Sequence, residues 1–357
     1  MKSFKKLLSI LLCVLLCFGV FGVLSFASDD YVTFKFLNYN FSGLPDVNYL
    51  LRKEGGKDIS LNQSLLGKQL DASDYDVIAV QEDFGYHNLL IANMDSYEYK
   101  TPHWGSIPGG DGLNIFTRSA PIYDMQRTPW NAAGGPIADG DSLTAKGILY
   151  TVLDLGDGIY LDFYNIHSDA FDDPDSAAAR ASQYKQLMDL VEKNSTGRPV
   201  IITGDFNTTL ALMHWENNED EYALREQFYV RGGFKDAWNE LVGDGNYVDP
   251  PASNYVWGES DSVEKYLYRD GGGVSIEASG FEYVRFFNDK GESISDHAAA
   301  VCSFTFTKTA DFAPDARSHS VKSFSSAKVM FNTFKWICKD LVQVFRNWGD
   351  VKAWLGI

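Results

Sequence analysis

The chain has 357 residues, with 31 Lys or Arg against 48 Asp or Glu, a formal net charge of −17, 45% hydrophobic residues and four cysteines. This length and apolar content can fill a sizeable core in one large domain or two, and so few cysteines exclude a small disulfide-framed scaffold. The acid is concentrated in residues 28–307, which hold 20 basic and 44 acidic side chains, a balance of −24 that counts against non-specific binding of nucleic acid.

Lys2, Lys5 and Lys6 precede an apolar run from Leu7 to about Leu24 and the small-residue pattern Ser25-Phe26-Ala27. Residues 1–27 therefore have the pattern of a secretory signal peptide cut after Ala27. An uncleaved anchor is the alternative, because an apolar run of that length approaches what is needed to span a bilayer. Cys17 follows Leu15-Leu16 rather than a small residue, which argues against a lipoprotein anchor. Cleavage leaves Cys302 and Cys338, either as two buried thiols or as one bridge formed in an oxidising compartment.

Val32, Phe34 and Phe36 alternate with polar residues, which predicts a half-buried strand ending at Asn38-Tyr39-Asn40, followed by a helix over roughly 46–70. Asp76 to Val80 is a short, mostly apolar run, the mark of a strand covered on both faces, and it delivers Gln81-Glu82. A third strand is predicted over 112–117. Residues 147–155 and 159–166 read as a hairpin about Gly156-Asp157-Gly158, ending at Asn165-Ile166-His167. Asp173 and Pro174 are a cap and a first-turn proline for a helix to about Asn194. Pro199 to Thr203 is another buried strand and runs into Gly204-Asp205-Phe206-Asn207. Strands are expected near 281–287 and 298–306, with Ser295-Asp296-His297 just before the last. Two packed sheets flanked by helices accommodate this mixture, an α/β (α+β) sandwich with layers ordered α/β/β/α.

Five polar clusters thus stand at or near the ends of apolar runs, where a sheet fold can gather distant side chains. Glu82 offers a carboxylate to a hard cation, which takes one or two protein carboxylates and otherwise keeps water or substrate oxygens. Asp205 and Asn207 fall on one side by the two-residue period of an extended chain, an acceptor and an amide able to align a water and a phosphate oxygen. His167 and His297 titrate near neutrality and can exchange a proton with an attacking water or leaving oxygen. Each alone is explained by an exposed strand end or a structural histidine; together they point to metal and phosphate chemistry.

The order of these motifs over residues 31–306 resembles the endonuclease/exonuclease/phosphatase superfamily, the metal-dependent phosphoesterases related to deoxyribonuclease I and the neutral sphingomyelinases. The resemblance implies a metal, Mg2+ or another divalent cation such as Mn2+ or Ca2+, held by Asn40, Glu82 and Asp296. It implies phosphate contacts from Asn165, His167 and Asn207, and water activation by Asp205 and His297. Relatives carry an Asp on a late strand to orient the final histidine; the matching segment here, Val263 to Arg269, has Glu264 instead, one methylene longer and able to serve only if its strand sits slightly back. Lys146-Gly147 also resembles a recurring feature, with Lys146 either structural or near the site.

The stretch from Asn40 to Pro45, ending Gly-Leu-Pro, is more similar to the sphingomyelinase branch than to the DNA-repair branch. The expected function is a secreted phosphodiesterase acting by in-line attack of water on a lipid or small phosphodiester; a secreted nuclease and a non-catalytic binding descendant of the fold are the alternatives. Residues 28–307 form the expected catalytic domain and 308–357 a linker and amphipathic helix. In that last segment Phe324, Phe331, Phe334, Leu341, Phe345 and Trp348 mark one helical face, while Lys328, Lys335, Lys339 and Arg346 lie off it. Such a helix fits either an anionic membrane surface or the acidic body of a monomer.

Overall fold

The computed structural model describes residues 30–44, 56–104, 110–134, 144–171, 173–208, 219–244 and 263–317. The expected signal segment, the beginning of the helix expected over 46–70, Cys338 and the expected C-terminal helix lie outside them. Twelve strands among the described residues form two six-stranded sheets. The first contains β1 (Tyr31–Asn40), β2 (Val77–Gln81), β3 (Tyr99–Lys100), β4 (Asn114–Thr117), β11 (Val274–Val284) and β12 (Ala299–Lys308), in the order β11-β12-β1-β2-β4-β3. The second contains β5 (Ile122–Pro129), β6 (Gly147–Asp154), β7 (Tyr160–His167), β8 (Val200–Asp205), β9 (Lys235–Asp236) and β10 (Glu264–Arg269), in the order β5-β6-β7-β8-β10-β9. Helices α1 (Ile59–Asp71) and α2 (His87–Ile91) accompany the first sheet. Helices α3 (Pro174–Ser195) and α4 (Glu219–Leu224) accompany the second, while α5 (Ala237–Val242) follows β9 and packs beside β11.

Packing fixes the layers. Phe36, Val77, Ile115 and Phe304 of the first sheet meet Leu149, Phe163, Ile201 and Tyr266 of the second in the central core. The opposite face of the first sheet buries Leu66 and Leu70 of α1, and that of the second buries Tyr184, Leu187 and Val191 of α3. Both faces of β2 and β8 are covered, which is why their sequences are apolar runs without alternation. The cap of α3 is as expected: the Asp173 carboxylate accepts from the peptide N–H groups of Asp175 and Ser176 at 3.0 and 3.1 Å, with Pro174 in the first turn.

Each sheet has one central parallel pair. In β1 and β2 Asn40 lies beside Gln81, and in β7 and β8 His167 lies beside Asp205. Side by side in the sandwich, these pairs discharge four chain ends at one pole. Gly204 makes the approach possible: its φ is +142°, and a Cβ there would stand 2.0 Å from the Ile166 carbonyl oxygen. The strand expected at 281–287 begins earlier, at Val274, and ends at Val284. A register shift between Ser279 and Glu282 breaks its alternation and hides its first half from a periodicity reading.

The chain leaves the sandwich at the other pole. After β12, residues 309–317 cross to the start of β7, where the Arg317 guanidinium pairs with the fully buried Asp162 carboxylate at 2.8 Å. Burial raises the Asp162 carboxyl pKa, opposed by Ser195 and by Arg317.

Candidate active site

The pole where β1, β2, β7 and β8 end is built on a buried ladder of amides joining the two sheets. The Gln81 amide nitrogen donates to Asn38 Oδ1 at 2.8 Å and Asn165 Oδ1 at 2.6 Å, and Asn38 Nδ2 donates to the Gly204 carbonyl at 2.9 Å. Asn165 Nδ2 donates to the Val80 and Asn114 carbonyls at 2.9 and 3.0 Å. This accounting corrects the expectation for Asn165. The side chain is wholly buried, and both its amide hydrogens are spent on main-chain carbonyls, so no donor remains for a phosphoryl oxygen. Asn165 belongs to the floor of the site, and Asn38 and Gln81 have the same use.

Above this floor, Asn40 Nδ2 donates to Glu82 Oε1 at 3.1 Å and to Asp205 Oδ2 at 3.0 Å. Its Oδ1 accepts from the Ser42 N–H at 3.0 Å. One amide therefore spaces two carboxylates from different sheets. Glu82 is partly exposed and has φ +56°. Burial raises its pKa, with Asp296 acting in the same direction and Lys146 and His297 opposing.

Asp205 is the hub of the second sheet's contribution. Its Oδ1 accepts the Asn207 N–H at 2.9 Å, a local turn that suits the φ of +51° at Asn207, and Asn207 Nδ2 donates to the Ser168 carbonyl at 3.2 Å. Its Oδ2 lies 3.5 Å from His167 Nε2 and 3.9 Å from His297 Nε2. His167 is buried and its Nδ1 has no partner among the described residues. Burial, helped by the charges of Lys146 and His297, holds its pKa well below the ordinary histidine value, so the ring is neutral. Trp130 Nε1 donates to the His167 carbonyl at 2.6 Å and fixes that strand end.

His297 is held from two directions. Ser295 Oγ accepts the His297 N–H at 3.0 Å and donates to the Asn40 carbonyl at 2.7 Å, which ties the loop before β12 to the end of β1. Glu264 Oε1 reaches His297 Nδ1 at 2.5 Å. Glu264 lies beside Asp205 in the antiparallel pairing of β10 and β8, and from there its side chain reaches His297. Burial alone would lower the His297 pKa, but the Glu264, Asp205 and Asp296 carboxylates together hold it well above the usual value.

The structure thus brings together Asn40, Glu82, His167, Asp205, Asn207, Glu264, Asp296 and His297. Lys146 joins them near the site: its Nζ donates to the Ser168 carbonyl at 3.3 Å, and its charge reaches Glu82 and His167. Trp130 and Asn114 are the supporting residues that sequence reasoning passed over. Local sequence gives no sign that Trp130 Nε1 is aimed at the His167 carbonyl or that the Asn114 carbonyl takes the Asn165 amide.

The fold is that of a deoxyribonuclease I-like α/β sandwich. The family model described as "Endonuclease/Exonuclease/phosphatase family" matches residues 56–253, and the chain belongs to that family. Sphingomyelinases of Mycobacterium tuberculosis and Mycobacterium bovis are 34% identical over 285 residues, which cover 76% of this chain and 53% of theirs. The chain therefore spans about half the length of the curated relatives it matches. Among solved structures, a humanized D. rerio TDP2 superposes with a TM-score of 0.56 at 16% identity, covering 76% of this chain and 98% of that one. The beta toxin of Staphylococcus aureus, solved with bound magnesium ions, gives 0.52 at 17% identity, covering 76% and 99%.

Proposed function

We propose that the mature chain is a secreted, Mg2+-dependent phosphodiesterase of the sphingomyelinase-like, phospholipase C type. The observation that carries the reaction is the alignment of Glu264, His297 and Asp205, a buried carboxylate gripping an imidazole whose other nitrogen faces a second carboxylate, with Glu82 on the far side of Asn40. The kinship with sphingomyelinases and the acidic body support a lipid or small phosphodiester over a polyanion.

The residues fit a hard cation. Glu82 and Asp296 are partly exposed carboxylates whose like charge is felt at Glu82, and one or two carboxylates with water is the shell such an ion prefers. Glu82 and Asp296 would hold it, with Asn40 keeping Glu82 in place, and bound there it supplies neutralisation of charge developing on the phosphoryl oxygens. The chain's own groups do the remainder. Asn207 and His167 bind phosphoryl oxygens, Asp205 orients the attacking water, and His297, fixed through Nδ1 by Glu264, moves a proton at Nε2. The basic C-terminal segment, residues 318–357, is the part of the monomer suited to an anionic membrane surface.

The test is turnover of sphingomyelin, DNA, RNA and a chromogenic phosphodiester by the mature chain. Hydrolysis of sphingomyelin or the chromogenic ester that EDTA abolishes and Mg2+ restores is expected. Turnover of nucleic acid alone would make the chain a nuclease, and no turnover with no metal bound would make it a binding protein on this fold.

A further inference from the structure

Between the end of β7 and the start of α3, at the same pole as the site, the chain exposes an aromatic ring. Phe171 lies four residues past His167 and is 49% exposed, with a backbone φ of +70°. Single apolar residues on a surface are ordinary. A positive φ under a bulky side chain is not, because the left-handed region belongs to glycine and, less often, to asparagine and aspartate. Such strain gathers where a residue is held in place for a purpose.

The chain leading to Phe171 is tied down along its length. The His167 carbonyl accepts from Trp130 Nε1 at 2.6 Å, the Ser168 carbonyl accepts from Asn207 Nδ2 at 3.2 Å, and the Asp169 N–H donates to Gln183 Oε1 at 3.0 Å. Arg180 of α3, which is buried, holds the end of the turn: its Nη1 donates to the Asp169 carbonyl at 3.1 Å and to the Phe171 carbonyl at 2.5 Å. Its Nε donates to Asp220 Oδ2 at 2.8 Å, and the same oxygen accepts from Thr208 Oγ1 at 2.7 Å, one residue past Asn207. One guanidinium thus fastens Phe171 to the loop that carries Asp205 and Asn207. The hydrogen bond that holds Phe171 is to its main chain, so it fixes where the side chain stands without requiring that it be aromatic. On the other sheet, exposed Leu44 follows Gly43, whose N–H donates to the Glu82 carbonyl at 3.1 Å, and gives the pole a second apolar residue in solvent.

We propose that Phe171 is an interfacial contact: its ring enters the headgroup–acyl boundary of an electrically neutral lipid surface and holds the site against a membrane-borne phosphodiester. Asp173 and Asp175, just past it in the chain, oppose an anionic surface, whereas an apolar ring is taken up by a zwitterionic one. The inference rests on the phosphodiesterase reading and adds the form in which the substrate is met, packed in a surface rather than free in water.

The experiment is sedimentation of the full chain with phosphatidylcholine vesicles, with hydrolysis of sphingomyelin in those vesicles and of the soluble chromogenic phosphodiester. The variants are Phe171→Ser, Phe171→Gly and, as control, Val230→Ser; Val230 is 60% exposed beside Arg231, which pairs with Glu192 near the other end of α3. Phe171→Ser should weaken vesicle binding and raise the KM for vesicle lipid about 4- to 12-fold, the contribution of roughly half a phenylalanine side chain leaving water, with soluble-ester turnover unchanged. Phe171→Gly should lose the same binding yet melt above Phe171→Ser, because glycine adopts that φ without strain. Val230→Ser should bind as the wild type does. No vesicle binding by the wild type, binding intact in Phe171→Ser, an equal loss in Val230→Ser or on the soluble ester, or Phe171→Gly melting below Phe171→Ser would overturn the proposal. Vesicle binding that depends on Phe171 in a chain hydrolysing no lipid would uphold this contact and sink the lipid-phosphodiesterase reading instead.

Discussion

Replacing Glu264 with aspartate, the residue that the family resemblance leads one to expect there, should impair this chain rather than improve it. The Glu264 carboxylate reaches His297 Nδ1 at 2.5 Å from a strand whose register is pinned, Glu264 beside Asp205 and Lys265 beside Gly204. Removing one methylene withdraws the carboxylate by up to about 1.5 Å, the length of one carbon–carbon bond. The gap becomes roughly 4 Å, past hydrogen-bonding range. β10 cannot slide to compensate without breaking its ladder with β8, and Gly204 is already packed against Ile166. A hydrogen bond to a charged group contributes about 1.5–3 kcal/mol, so losing it where it orients the imidazole should lower kcat by roughly 10- to 150-fold. The assay is Mg2+-supported hydrolysis of a chromogenic phosphodiester, with the His297 pKa followed by NMR. Burial lowers that pKa and the carboxylates raise it, so weakening the Glu264 contact must bring it down. Glu264→Asp with wild-type kcat and an unchanged His297 pKa would refute the reasoning.

Three further outcomes follow from the same geometry. Asp205→Ala or His297→Ala should lower the hydrolysis rate at least ~100-fold with folding intact by circular dichroism, the scale of lost acid–base catalysis; undiminished turnover in either would remove that residue from the mechanism. Asn40→Ala frees Glu82 and Asp205 from their shared donor, and Mg2+ affinity measured by calorimetry should fall about 10- to 100-fold, whereas an unchanged affinity would reduce Asn40 to a packing role. Asp162→Ala removes the fully buried partner of Arg317, which keeps its ion pair with Asp315, and should cost about 1.5–3 kcal/mol in chemical denaturation, the range for a lost hydrogen bond to a charged group.

What could be read from the sequence, and what could not, divides along a physical line. Strands covered on both faces, such as Val77–Gln81 and Val200–Asp205, announce themselves as apolar runs, and the polar residues that end them stand out against that background. Asn40, Glu82, Asp205 and His297 are therefore legible, and the hairpin turn and the cap at Asp173 are legible from local chemistry. Asn165 is equally conspicuous but is spent on the Val80 and Asn114 carbonyls, a destination set by how two sheets approach each other and not by local sequence. The extra reach of Glu264 raised a doubt that only the position of β10 could answer. Phe171 went unremarked because its positive φ and the hold of Arg180 on its carbonyl leave no mark in the local sequence.

The pole where the four strands end carries a cost to the fold that the proposed chemistry would explain. His167 is 1% exposed, with Nδ1 lacking a partner among the described residues and Nε2 a long 3.5 Å from Asp205. A buried polar atom left unpaired costs about 1–3 kcal/mol. Ser42, Glu82 and Asn207, at the strand exits beside it, all hold positive φ, a second expense concentrated in the same place. Strained backbone and unpaired polar atoms of this kind gather at sites where they serve a function, and replacing His167 tests whether they do here. His167→Leu should accordingly raise the thermal midpoint, by about 2–4 °C per kcal/mol recovered for a domain of 150–250 residues and somewhat less for a longer chain, while abolishing hydrolysis. Calorimetry and the chromogenic assay on the same preparation decide it: a lowered midpoint would make His167 a structural histidine, and retained turnover would take it out of the site.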